Sequence, residues 1–319
     1  MMKCPKNYTI PTNKWLEPLK VLFDDNSLII ESILTDMISK EKVVAKITKI
    51  PDVQTIKTNL GIKSLYEIIR VSPHIATIYC FLTCKENKTN LTTKYKDILG
   101  FCSHDTNDDN RAGARNITIN IEIMKKYKNT LKRFTNKLST EHVKNIMRYL
   151  LNMQIELFRL YGFIHQDIHP GNIFIEKTEP YKLKFKTSCN TDIVVVKLIT
   201  PFKLYLTDFE YSKILLKSLN PEIKELLTQK DKLTFEYTLE SQIYHTVYMC
   251  LDLLEDVGLQ DKLHKLLPTM RSEYIPIKIL NSYAKGNKTE ETFIALSSSA
   301  ACTTCNDIFK LFFNEPFNL

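Results

Sequence analysis

The chain has 319 residues, 44% apolar and 25% charged, a composition that suits a globular protein long enough for one large domain or two lobes. No run of about 18 uncharged apolar residues occurs, so no membrane span is expected, and the first residues, MMKCPKNYTIP, lack the apolar core of a secretory signal. The formal charge of +8 is carried almost wholly by scattered lysines without an aromatic-rich basic module, so no nucleic-acid partner is expected.

In chain order, residues 1–26 read as an N-terminal extension. Short strand patterns fill Ser27 to Ile50, with KVVAKITKI (Lys42–Ile50) the clearest. Ile56–Val71 suits a helix through Leu65, Ile68 and Ile69, and His74–Cys84 reads as a strand. The polar stretch Ser103–Arg115 reads as a loop, and Asn116–Met124 alternates as a strand. The strongest helix follows. Ser139 and Thr140 are its cap candidates, Val143, Met147, Leu150, Met153, Leu157 and Tyr161 recur at steps of three and four, and Gly162 stops it. Tyr181–Phe185, Asp192–Ile199 and Phe202–Leu206 read as strands, and from Thr238 onward the pattern is helical.

Eight cysteines are spread at 4, 80, 84, 102, 189, 250, 302 and 305. The one C-x-x-C, Cys302 with Cys305, has no second pair at zinc spacing, so reduced thiols in a cytoplasmic chain are expected rather than a structural metal. The expected fold class is α+β, with a small β-rich N-terminal lobe (27–124) and a larger helical lobe (125–319) carrying a β-hairpin insert at about 177–203.

Two stretches carry candidate chemistry. GFIHQDIHPGNIFI (Gly162–Ile175) holds His165, Asp167, His169 and Asn172 between apolar runs, and LYLTDFEYS (Leu204–Ser212) ends an apolar strand on Asp208. Phosphoryl transfer from ATP needs Mg²⁺ held by hard oxygen ligands, charge compensation for the phosphates, and a carboxylate to orient the attacking hydroxyl. Asp167, Asn172 and Asp208 have the types and the order for that work. Upstream, VVAK (Val43–Lys46) ends on a lysine, and Glu67 is the acid placed mid-helix to hold it.

With these motifs the chain resembles the protein kinase superfamily from about Ser27 to the end. The resemblance implies ATP and Mg²⁺ as cofactors and a protein substrate. Asp167 would face the substrate hydroxyl, while Asn172 and Asp208 hold the metal. Lys46 would bind the α/β-phosphates with Glu67 positioning it. Ile121 would be the gatekeeper, and Glu122 to Met124 the hinge that reads adenine through backbone groups. SPHIATIY (Ser72–Tyr79) resembles the segment after the kinase regulatory helix, and Ser241–Leu254 the helix that usually anchors the catalytic loop.

The extra residues between Asn172 and Asp208 resemble those of divergent serine/threonine kinases of large DNA viruses, including poxviruses, which implies host cytoplasm or virion as the setting. Several positions depart from the pattern. No glycine precedes Gly61, so ordinary residues near Ser32–Lys40 must close the phosphate loop. Gln166 stands where an arginine is usual, so no cation awaits a phosphate on the following segment, and activity independent of its phosphorylation is expected. Glu210 replaces a glycine after Phe209, and Gln242 replaces the anchoring aspartate. His169 replaces the usual γ-phosphate lysine, and D-x-H-P-G-N is similar to aminoglycoside and choline kinases. An imidazole there would donate to a phosphate oxygen and make the rate sensitive to pH. A small-molecule kinase and a pseudokinase scaffold are therefore the alternatives.

Overall fold

The structure, a computed structural model, describes residues 16–24, 27–34, 41–50, 63–86, 117–134, 138–189, 192–220, 235–254, 261 and 275–317. The expected loop at Ser103–Arg115, most of the phosphate-loop segment before Glu41 and the first part of the Ile56–Val71 helix lie outside these residues. The fold class is α+β, in two units: Met1–Ser64 with Ala76–Lys126, and Leu65–Ile75 with Tyr127–Leu319.

The first unit is an antiparallel sheet of β1 (Leu16–Asp24), β2 (Ser27–Leu34), β3 (Glu41–Ile50), β4 (Ile78–Glu86) and β5 (Ile117–Lys125). Its strand order is β1-β2-β3-β5-β4. Period-two alternation buries Ile30, Val43, Ala45, Ile47, Ile121 and Ile123 on one face. The register, which sets Ile30 and Ile123 against Ala45, lines them up across three strands. β1 pairs with β2 along its length, so the sheet begins inside the segment expected to be an extension. Buried Glu31 is balanced by Lys126 at 2.7 Å.

α1 (residues 63–69) belongs to the second unit from Leu65 on, and its Leu65, Tyr66 and Ile69 are buried. This unit continues with β6 (Asn129–Thr130), α2 (Leu131–Phe134), α3 (Thr140–Tyr161) and β7 (Phe163–Ile164). After these come β8 (Ile173–Cys189), β9 (Asp192–Leu206), β10 (Lys213–Ile214), α4 (Leu239–Asp252), α5 (Ile275–Ala284) and α6 (Glu290–Phe313).

α3 matches its sequence pattern at both ends. The Ser139 side chain accepts from the His142 amide, and His142 reciprocates at the Ser139 amide, closing a capping box. Gly162 ends the helix in the left-handed region at φ 61°, where an added Cβ would meet the Leu216 side chain at 2.8 Å. α3 packs on β8, β9, α4 and α6. Beyond α6, Glu315 ties the chain end back to α3 through Lys144 and Arg148, each at 2.7 Å.

The expected insert at 177–203 proves to be part of one longer hairpin. β8 and β9 pair from Ile173↔Leu206 at the base to Cys189↔Asp192 at the tip, with an irregularity between Lys177 and Tyr181. Pro180 lacks a ladder donor, and that irregularity accommodates it without ending the strand.

Cys250 and Cys305 are buried free thiols. Cys302 is disulfide-bonded, which corrects the expectation of uniformly reduced thiols. Spacing along the chain carries no information on such a bond, because it depends on tertiary proximity. Among the described residues no helix is long and apolar enough to cross a membrane.

Candidate active site

The base of the β8–β9 hairpin brings the two polar stretches together. Its closing pair is Ile173↔Leu206, and one residue further out the Thr207 amide donates to the Asn172 carbonyl at 3.1 Å. Asn172 and Asp208, 36 positions apart in the sequence, thus stand at the two feet of one hairpin. β10 pairs with β7, fixing the chain after Asp208 against the strand that precedes the first loop.

His165 fastens these feet to each other. Its ring is fully buried, with Nε2 2.9 Å from the Thr207 carbonyl, while its Nδ1 accepts from the Asp167 amide at 3.4 Å. That pattern puts the proton on Nε2. Burial lowers its pKa, with the Thr207 carbonyl the main opposing influence. The ring packs against Phe163 and Phe209, and Phe209 also meets Tyr66. The His165 amide donates to Gln242 Oε1 at 2.6 Å, and its carbonyl accepts from Ser212 Oγ at 3.1 Å. Gln242 thus anchors this loop through a neutral acceptor. Thr207 and Ser212 carry no sequence signal of their own, since isolated hydroxyl residues after a strand are common.

Two non-glycine residues in this region, Gln166 and Asp208, have φ of 64°. Left-handed backbone costs about 1–2 kcal/mol at such residues, and the surrounding hydrogen bonds must hold them there. The Gln166 side chain donates to the Glu236 carbonyl at 3.1 Å, tying the segment before α4 to the loop.

Asp167 is partly exposed, and its Oδ2 and its carbonyl both accept from Asn172 Nδ2, at 2.9 and 3.1 Å. The amide nitrogen of Asn172 is thereby committed to orienting Asp167, which leaves its oxygen as the atom able to meet a cation. His169 is half exposed. Its Nδ1 accepts from the Gly171 amide at 3.1 Å, and Nε2 stands 3.7 Å from Asp167 Oδ2. A Cβ at Gly171 would fall 2.7 Å from His169 Cε1, so the ring keeps this place only beside a glycine. Pro170 opens the short 3₁₀ turn Pro170–Asn172 that sets this spacing.

Among the described residues no group of three or more His, Cys, Asp or Glu side chains could hold a metal by itself. The Asp208 carboxylate with the Asn172 amide oxygen is nonetheless the donor set that suits Mg²⁺, which is commonly held by one or two protein oxygens together with water and phosphate.

The other expected site residues belong to other elements of the chain. Lys46 sits half-buried on β3, in register with Glu122 on β5, so the two opposite charges are cross-strand neighbours. Glu122 and Met124, expected as hinge residues, lie within β5. β5 lies between β3 and β4, Glu122 pairs with Lys46 and Phe81, and Met124 pairs with Val44 and Ile78. The strand runs on to Lys125, whose amide donates to the Thr77 carbonyl. An alternating apolar pattern does not reveal whether a strand is flanked on both sides, which is why the strand end was expected too early. Glu67 forms an ion pair with Arg70, one turn on, at 2.6 Å.

No protein-family model matches the chain, and no curated protein matches it. Among solved structures it is similar to a crystallised kinase domain from Plasmodium, with 10% sequence identity and a TM-score of 0.44 over 98% of this chain and 99% of that one.

Proposed function

We propose that the chain is an ATP- and Mg²⁺-dependent phosphotransferase that acts on hydroxyl groups of proteins, serine or threonine in the first instance. The supporting observation is the hydrogen-bonded pair of Asp167 and Asn172 at one foot of a hairpin whose other foot carries Asp208, with His165 buried between them. Asp208 and Asn172 Oδ1 would hold Mg²⁺, which when bound offsets phosphate charge. Asp167, with Oδ2 fixed by Asn172, keeps Oδ1 to orient the acceptor hydroxyl and take its proton. Lys46 and Glu67 enter from the sequence pattern alone, as the lysine for the α/β-phosphates and its acidic partner.

Gln166 supports activity without loop phosphorylation. Its amide already tethers the segment before α4 at Glu236, a task that elsewhere falls to an arginine and a phosphate. Gln242 no longer favours a pseudokinase, because it supplies the acceptor that the loop needs. The resemblance to kinases of large DNA viruses favours a protein acceptor and a host-cytoplasm or virion setting.

His169 is the observation that favours a small-molecule acceptor as second reading. Its neutral form carries the proton on Nε2, because Nδ1 is taken by the Gly171 amide, and that N–H can serve a phosphate oxygen beside Asp167. Gly171→Ala is expected to push the ring out of place and to lower the transfer rate about tenfold. An unchanged rate in both Gly171→Ala and His169→Ala would remove His169 from the reaction.

Labelled ATP offered with a casein-like protein, with choline and with an aminoglycoside separates the acceptors. Label is expected on protein. Label on either small molecule instead moves the assignment to the second reading, and no transfer together with no thermal stabilisation by Mg·ATP defeats both.

A further inference from the structure

We propose that the outer face of the β8–β9 hairpin is a docking surface for an acidic, extended segment of the protein substrate, a proposal that rests on the protein-kinase reading of the site. The inner face of the hairpin is spent on the core, where Phe185, Thr187, Val196, Leu198 and Thr200 are buried and Phe185 packs against Tyr149 of α3. The outer face carries Lys182, Lys184 and Lys186 on β8 and Val195, Lys197 and Ile199 on β9, all exposed. In register these form three cross-strand pairs, Lys182↔Ile199, Lys184↔Lys197 and Lys186↔Val195.

The Lys184↔Lys197 pair sets like charges directly opposite each other, an arrangement that weakens a hairpin. Among the described residues no ion pair links Lys182, Lys184 or Lys197 to a carboxylate. Lysines on an exposed strand also discourage edge-to-edge pairing. That role does not account for Val195 and Ile199, which stand 47% and 68% exposed between them.

Same-face side chains on a strand recur about every 6.8 Å. The three β8 lysines therefore match an extended peptide with carboxylates at every second residue, and the two aliphatic side chains match apolar residues beside them. The face offers no aromatic ring on which a nucleobase could stack. Its exposed apolar residues, Val195 and Ile199, are short branched aliphatics rather than the Trp, Phe and Leu that seat a protein in a lipid interface. Charge complementarity thus favours an acidic peptide over either alternative.

The test is fluorescence anisotropy of a labelled peptide alternating Glu with Ile or Val, titrated with the full chain and without ATP. Binding is expected to weaken with salt and to fall at least about tenfold in the triple variant Lys182→Glu/Lys184→Glu/Lys197→Glu. The triple lysine-to-glutamine variant, checked for an unchanged Tm, should lose affinity to a smaller extent. Unchanged affinity in both variants overturns the proposal. So does stronger binding of the wild type to phosphatidylserine-containing vesicles or to a single-stranded oligonucleotide than to the peptide. Because this assay needs no nucleotide, peptide binding by a chain that transfers no label from ATP to the casein-like protein would defeat the kinase reading and leave the docking face standing.

Discussion

Asp208→Asn is expected to lower Mg·ATP-dependent phosphoryl transfer by about 10²- to 10³-fold while leaving the Tm close to that of the wild type. The substitution removes the only charge that the Asp208–Asn172 donor set brings to a metal, and it keeps the side-chain shape. Its backbone compatibility makes it the informative change. Asp208 has φ of 64°, and Asn is among the few residues that enter this region readily. Asp208→Ala removes the charge and also sets a less tolerant residue in left-handed backbone, so lost activity there would not separate chemistry from folding. Calorimetry with and without Mg·ATP checks the prediction: Asp208→Asn should fold as the wild type does and lose most of the ligand-induced stabilisation. Full ligand stabilisation and full activity in Asp208→Asn would remove this residue from the site.

Glu240→Gln is expected to remove a pH-dependent loss of stability on the order of 5 kcal/mol. Glu240 lies in the first turn of α4, and among the described residues neither carboxylate oxygen has a partner at hydrogen-bonding geometry. Burial pushes its pKa from 4.5 up to about 8, against a small opposing pull from its own backbone amide. Below pH 4.5 both folded and unfolded chains carry it neutral. Between 4.5 and about 8 the unfolded chain gives up the proton while the folded chain keeps it, so stability falls as pH rises, and it levels off above 8. The glutamine has no such term, although its buried amide also needs a partner.

The two stability curves should therefore cross. The variant is expected to be no more stable than the wild type near pH 5 and clearly more stable at pH 8.5. An acid limb should remain in both proteins. Burial lowers the His74 pKa from 6.5 to about 4, so stability held above pH 6.5 is lost as pH falls through that window. Urea unfolding across pH 4 to 9 reads both limbs, and parallel curves for wild type and Glu240→Gln would show that Glu240 is not the source of the alkaline limb.

The features legible in the sequence were those set by local rules. α3 was readable end to end because a serine cap, a three-and-four apolar period and a stopping glycine all act within one turn of the residues they affect. The spacing from Asp167 to Asn172 was readable because a Pro-Gly turn fixes it. Non-local pairing was much less so. β1 gave no sign that it pairs with β2, and the hairpin was expected only over about 177–203, whereas its paired strands run on through Pro180 to Ile173 and Leu206. The ends of β5 depend on its two neighbours rather than on its own alternation. Gln242 looked like a loss until its amide oxygen was seen to receive the His165 N–H. In each case the missing information lay in a partner far along the chain.

The most direct test is transfer of labelled phosphate from ATP to protein, with wild type compared with Asp167→Asn at matched Tm. Asn at this position keeps an oxygen for Asn172 Nδ2 and loses the base. A phosphotransfer centre built on Asp167, Asn172 and Asp208 predicts Mg²⁺-dependent labelling by the wild type and a drop of about 10²- to 10⁴-fold in Asp167→Asn. Equal labelling by the two proteins, or labelling by the wild type that is indifferent to Mg²⁺, would contradict it.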